Sequence, residues 1–325
     1  MPAASPDPIS APLERLEALL RTLVRSNVEF ITLIGDDLLD AGGKRSRPAV
    51  TLLAAQACRT VAGHPNNLPQ AVNFAAAIEL LHSATLLHDD LVDDADTRRG
   101  HEAAFRHYGN AVSVLSGDFL LSRVLALLAE LPSAFTALIA QTSAAICEGE
   151  VLQFQVAALQ TYSRANYERI IDGKTAALVA AAARGGAMLA SAPEAVVEAL
   201  SAFGLHYGRA FQMRDDWLDL TASAATLGKP EGGDLREGKA TLPTLLLMDT
   251  PAREEVETIL GRRGSQPEDL NRLRALLAGH DIARAARAEV QAETAQAVSA
   301  LDALPPSPER QVLAALAEQN AERSA

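Results

Sequence analysis

The chain has 325 residues, 48% hydrophobic but only 4% aromatic, with a formal net charge of −12. That balance permits a large core, favours helices over β-branched and aromatic sheet segments, and argues against nucleic-acid binding, which needs a basic face. The two cysteines, Cys58 and Cys147, make neither a disulfide framework nor a metal cluster and read as small buried hydrophobes in apolar helical patterns.

Residues 1–11 read as a Pro-rich flexible tail without the basic and apolar regions of a secretory signal. No apolar run is read as long enough to span a membrane, so the expected location is cytoplasmic. One helix is expected from Pro12 to Asp40, with Leu13, Leu16, Leu19, Leu20 and Leu23 inward. Ala41 to Arg47 reads as a loop, and Pro48 opens the next helix, which runs to about Gly63. A turn-rich break at His64 to Pro69 precedes a helix that is apolar on nearly every side.

After a polar loop reaching Gly109, helices are expected over Asn110–Leu131 and from Pro132 to about Ala158. Ser163 is the expected N-cap of a helix to about Ala190, and another runs from Pro193 to Leu220. Residues 221–240 read as a Gly-rich charged loop. Helices broken at Pro251, Gly264, Gly279 and Pro305-Pro306 fill the remainder. With no strand alternation and no shift in composition, residues 12–325 read as one all-α domain of about ten or more helices.

Chemistry concentrates in two acidic clusters. The first follows the apolar helix and places Asp89, Asp90, Asp93, Asp94 and Asp96 within two turns, with Arg98 and Arg99 next. Asp89 and Asp93 are i,i+4 neighbours on one face. Like charges so placed repel, and burial would raise their pKa values unless a cation neutralises them. Mg²⁺ suits such a place, since it binds one or two carboxylates plus substrate phosphates, and arginine suits phosphate oxygens. The second cluster, Phe211-Gln212-Met213-Arg214-Asp215-Asp216-Trp217-Leu218-Asp219, repeats the spacing with Asp215 and Asp219. One cluster alone is weak evidence, with a solvated acidic helix end as the alternative. Two such helices, facing each other across a cavity, are expected to hold several Mg²⁺ ions around one diphosphate.

Of 29 basic residues only four are lysines, Lys44, Lys174, Lys229 and Lys239, and each follows a glycine. At an average glycine usage of about 7% the coincidence has odds of roughly one in forty thousand. Compact charges beside permissive backbone suit phosphate binding.

These motifs, with Gly42-Gly43-Lys44-Arg45-Ser46-Arg47-Pro48, His82 to Asp90, Arg98-Arg99-Gly100, Gly173-Lys174-Thr175 and Gly228-Lys229 through Glu237-Gly238-Lys239, resemble the trans-isoprenyl diphosphate synthases. More narrowly, the chain is similar to the long-chain polyprenyl (octaprenyl to decaprenyl) diphosphate synthases. The resemblance runs from about Leu38 to Pro243. It implies the isoprenoid synthase fold, a helical bundle around a central apolar cavity, and a homodimer. It also implies condensation of isopentenyl diphosphate with an allylic diphosphate, with three Mg²⁺ ions per site. By that resemblance Asp89, Asp90, Asp93, Asp215 and Asp219 hold metal. Arg98, Lys174, Thr175, Gln212, Lys229 and Lys239 hold the allylic diphosphate. Lys44, Arg47, His82 and Arg99 hold isopentenyl diphosphate. Asp89, Asp93, Lys174, Gln212 and Asp215 are the expected catalytic set.

The small Ala84 and Thr85 before Asp89, with Leu81 deeper, leave room for a long product of about C40 to C50, for which quinone side chains are the expected use. Leu121, Val124, Leu125 and Leu128 are alternative floors. Membrane contact is expected only transiently, at product release. A short-chain synthase or a silent subunit of a hetero-oligomer are the rivals. Met213 and Arg214 depart from the family's more usual apolar residues, and Trp217 is unusual inside the motif.

Overall fold

A helix with no polar face must be enclosed by others, and that requirement organises the first part of the molecule. The computed structural model describes residues 8–62, 68–93, 97–98, 101–223 and 231–322. Among the described residues the fold is all-α apart from one antiparallel ribbon, Thr97–Arg98 against His101–Glu102. The chain forms two compact units: Met1–Gln141 with Leu178–Gly204 and Ala300–Ala314, and Thr142–Ala177 with Leu205–Ser299 and Ala315–Ala325.

In the first unit the helices are α1 (Ser10–Leu23), α2 (Glu29–Asp40), α3 (Ser46–Ala62), α4 (Leu68–Val92), α5 (Ala104–Tyr108) and α6 (Asn110–Leu128). The start of α7 (Ser133–Leu159), most of α9 (Ala177–Leu189) and the start of α10 (Glu194–Thr221) join them. The enclosed helix is α4, packed by α1, α3 and α6. Its Phe74 is fully buried and meets Phe135 edge to face, with ring centroids 5.2 Å apart. Gly185 makes room for that ring: a Cβ there would lie 2.0 Å from Phe74 Cε1.

The second unit contains the rest of α7, then α8 (Arg164–Ile171), a π-turn (Asp172–Ala176), the C-terminal half of α10 and α11 (Gly233–Glu237). It continues with α12 (Leu242–Met248), α13 (Arg253–Gly261), α14 (Asp269–Gly279), α15 (Ile282–Ala300) and the end of α16 (Pro308–Glu322). Leu242, Leu247, Val256, Leu260, Leu273 and Met213 lie in its core, and Trp217 packs against it.

The segments expected as loops before Gly109 and over 221–240 contain the short helices α5 and α11, and four further expectations change. The helix expected over Pro12–Asp40 is two, because Ser26 interrupts it: its Oγ accepts from Val28 N at 3.1 Å and its own N donates to Thr32 Oγ1 at 3.0 Å. The helix expected to run unbroken from Ser163 is interrupted by the π-turn, although Ser163 caps it as expected, accepting from Asn166 N at 3.2 Å. Cys147 is exposed, since the inward position on that turn of α7 belongs to Ile146; only Cys58 is buried, and burial pushes its thiol up to about 12. Contrary to the sequence reading, α6 is long and apolar enough to cross a membrane by length and composition. Here it packs along α4, burying Ser113, Gly117, Leu120, Val124 and Leu128.

The loop before α3 is fixed by one residue. Gly42 and Arg45 both take left-handed backbone, with φ of +70° and +46°. Arg45 Nε donates to Glu17 Oε1 at 2.6 Å and Nη1 to Glu79 Oε1 at 2.7 Å, with Glu79 buried on α4. Burial opposes the guanidinium's charge, but the bond to Glu17 and the charge of Glu79 outweigh it and raise its pKa. Replacing Glu79 with alanine would leave this buried cation short of a partner. The expected loss is about 3 kcal/mol, measured as a lower urea midpoint.

Candidate active site

In the first unit the last turn of α4 carries the first aspartate cluster. Asp93 N donates to Asp89 O at 2.8 Å, so the helical hydrogen-bond pattern continues past Val92 and keeps Asp89 and Asp93 in i,i+4 register. Their side chains are partly exposed, whereas Asp90 is 3% exposed. His82, two turns earlier, is half-buried, and Thr85 Oγ1 donates to its carbonyl at 2.8 Å. Leu81 and Ala84 are buried and Thr85 is partly exposed. Lys44 is exposed on the loop that Arg45 anchors, and Arg47 lies half-buried at the start of α3. His88 packs against Gly117, and its Nε2 lies 3.2 Å from Val114 O.

In the second unit a pocket is lined by Tyr167, Lys174, Thr175, Gln212, Asp216 and Lys239, among others. Lys174 and Thr175 reach it from the π-turn. Gly149 and Gly173 let α7 touch that turn: a Cβ on Gly149 would lie 2.7 Å from Lys174 N, and one on Gly173 2.5 Å from Ala145 O. From there Lys174 Nζ pairs with Glu150 Oε2 at 2.7 Å. Thr175 Oγ1 donates to Gln212 Oε1 at 2.6 Å, and Gln212 Nε2 donates to Asp216 Oδ1 at 2.7 Å. Tyr167 Oη donates to Asp216 Oδ2 at 2.7 Å.

Asp216 is 3% exposed. Burial raises its pKa to about 6 against the opposing hydrogen bonds from Gln212 and Tyr167. Burial and the Asp216 charge push the Tyr167 hydroxyl well above its usual value. Sequence reasoning missed Asp216, Tyr167 and Glu150. The one signal for Asp216 was its i,i+4 spacing from Gln212.

Asp215 and Asp219 are not equivalent. Asp219 is 2% exposed, and its Oδ2 accepts from Asp234 N at 3.0 Å while its carbonyl accepts from Gly232 N at 3.0 Å, tying α10 to the start of α11. Asp215 is the more open of the two, with its side chain 40% exposed and paired to Arg214 at 2.7 Å. Lys239 follows Gly238, which ends α11 in left-handed backbone, and pairs with Glu237. Arg99 and Lys229 lie outside the described residues, as do Asp94 and Asp96, and Arg98 is described only in its backbone.

Among the described residues no group of three or more His, Cys, Asp or Glu side chains could hold a metal ion alone. Hard carboxylate donors, partly exposed and fewer than a full shell, instead fit Mg²⁺, whose remaining ligands are water and phosphate oxygen.

A family model described as Polyprenyl synthetase matches residues 28–277. The chain belongs to the polyprenyl synthetase family. As a member it is a trans-prenyltransferase, and the expectation of a polyprenyl diphosphate synthase is met. The all-trans-nonaprenyl-diphosphate synthase (geranyl-diphosphate specific) of Rhodobacter capsulatus is 38% identical over 94% of this chain and 93% of its own length. The geranylgeranyl diphosphate synthase of Methanosarcina mazei is 41% identical over 63% of each chain. The crystal structure of the Caulobacter crescentus CB15 polyprenyl synthase, complexed with calcium and isoprenyl diphosphate, matches with a TM-score of 0.90. It is 39% identical and covers 98% of this chain and 96% of that one.

Because backbone rather than a flexible side chain lies against Gly173, a methyl group there must displace the π-turn. Gly173→Ala is expected to cut the prenyltransferase rate at least about a hundredfold, the scale reported for misplaced catalytic groups, while far-UV circular dichroism stays that of a helical protein.

Proposed function

We propose that this prenyltransferase is Mg²⁺-dependent and makes a long all-trans polyprenyl diphosphate of about C40 to C50. The observation that carries the metal reading is the repeated Asp-Asp-x-x-Asp spacing, each copy carrying at least one partly exposed carboxylate. Asp89, Asp93 and Asp215 are the open ligands in this reading, with Asp90 and Asp219 supporting from buried positions. Three Mg²⁺ ions per site, when bound, would supply Lewis acidity to the departing diphosphate.

The remaining roles belong to the chain. Lys174, Thr175 and Lys239, with Arg98 and Lys229, receive the allylic diphosphate as its C–O bond breaks. Gln212 is held in place by Thr175 and Asp216 and keeps a second N–H that can donate to the same diphosphate. Lys44, Arg47, His82 and Arg99 hold isopentenyl diphosphate while its double bond forms the new C–C bond. The proton it loses passes to the released diphosphate. The lysines start with carboxylate partners, Glu150 and Glu237, and exchange them for phosphate on binding.

The long-chain assignment is supported by small residues before Asp89 and by the match to the nonaprenyl synthase across nearly its whole length. A second reading, a short-chain product, is favoured by the geranylgeranyl synthase match over part of the chain. We further propose a homodimer acting in the cytoplasm, in contact with membrane only when the product is released. The product's apolar chain supports that contact, and quinone side chains are the proposed destination.

Incubation with Mg²⁺, labelled isopentenyl diphosphate and an allylic primer, with chain lengths resolved by reversed-phase chromatography, tests the reading. Products of about C40 to C50 are expected. Ala84→Phe or Thr85→Phe is expected to shorten them, with Ala84→Phe also losing stability because that position is fully buried. Wild-type product ending at C15 or C20 would contradict the long-chain assignment.

A further inference from the structure

Arg214 is the charged residue of the second motif that nothing above uses, and its surroundings are specific. Its Nη2 donates to Asp215 Oδ1 at 2.7 Å. Its Nη1 donates to Asn320 Oδ1 at 2.8 Å and to Asn320 O at 3.3 Å. The guanidinium also lies over the Phe211 ring, 5.4 Å from its centroid. Asn320 is 5% exposed, near the end of α16. Arg214 Nε and Asn320 Nδ2 are both buried without a hydrogen-bond partner. The arginine is therefore braced from behind by the last helix and aimed at the open aspartate of the motif. The side chain exposures, 12% for Arg214 and 40% for Asp215, show which of the two faces water.

Such a charge acts oppositely on two kinds of ligand. A divalent cation arriving alone at Asp215 meets a fixed positive charge and must compete for, or share, the carboxylate that the guanidinium already engages. A diphosphate arriving with that cation brings several negative charges, for which a guanidinium is a strong donor. We propose that Arg214, held by Asn320, suppresses cation binding at Asp215 until a diphosphate is present, making occupancy of the second motif conditional on substrate. Linkage then requires the reciprocal effect: the cation strengthens diphosphate binding more with Arg214 than without it. This inference rests on the reading of Asp215 as a metal ligand.

The test is Mn²⁺ binding to the full chain, read from the electron paramagnetic resonance signal of free Mn²⁺, with and without inorganic pyrophosphate. Wild-type protein is expected to show the Asp215-dependent site, defined as the one lost in Asp215→Asn, only when pyrophosphate is present. Arg214→Leu is expected to bind Mn²⁺ about tenfold more tightly without pyrophosphate, and Asp215→Asn should abolish that gain. Arg214→Lys, which keeps the charge, should resemble wild type, and Asn320→Leu should move in the direction of Arg214→Leu by a smaller factor. The two positions give independent readouts should one variant fold poorly. If Asp215→Asn removes a Mn²⁺ site but Arg214→Leu binds no more tightly than wild type, the inference is overturned and the metal reading of Asp215 stands. If Asp215→Asn removes no site in any background, the metal reading fails and takes the inference with it.

Discussion

Crowded carboxylates at the end of an apolar helix are the constraint on which the rest depends. Three aspartates within five residues cannot all be charged and all be buried without partners. Helical geometry buries the middle aspartate of both motifs, while the last one differs, partly exposed at Asp93 and buried at Asp219. The first and last of each spacing share a face, while the second points elsewhere and is buried: Asp90 and Asp216 are each 3% exposed. For Asp216 the cost is met by Gln212 and Tyr167, which hold both carboxylate oxygens and oppose the pKa rise that burial imposes. The aspartates left facing water are the ones chemistry can use.

The cations obey the complementary rule. Arg45 is committed to Glu17 and Glu79 and shapes a loop, which leaves its neighbour Lys44 exposed. Lys174 and Lys239 rest against Glu150 and Glu237. In the proposed reading, a diphosphate binding in the second unit would exchange counter-ions rather than neutralise bare charge, and its affinity would reflect the difference between two ion pairs. Backbone geometry sets where those cations stand. A π-turn projects Lys174 and Thr175 into the pocket, and turns of this kind are frequent at functional sites.

Much of this was legible in sequence because it depends on local period. The apolar pattern of α4 demanded enclosure, and the i,i+4 spacing of aspartates survives to the last turn of that helix. The N-cap at Ser163 followed from residue type alone. What escaped depends on contacts between distant segments. Asp219 looks like the twin of Asp215 until Gly232 to Asp234 folds back onto it. Glu150 becomes the partner of Lys174 only because two glycines, Gly149 and Gly173, bring α7 against the π-turn. The break at Ser26 arose from a side-chain to backbone competition that hydrophobic period does not register. Cys147 shows the converse error, since an apolar neighbourhood in sequence does not say which side of a helix faces inward.

In the proposed reading the open aspartates act through divalent cations. The most direct measurement is the initial prenyl-transfer rate against free Mg²⁺ at fixed substrate, for wild type, Asp89→Asn and Asp215→Asn. The account predicts a dependence steeper than first order in Mg²⁺, abolished by chelator, with both variant curves displaced to higher Mg²⁺. A rate that persists in chelator, or variant curves that fall in height with no displacement along the Mg²⁺ axis, would contradict it.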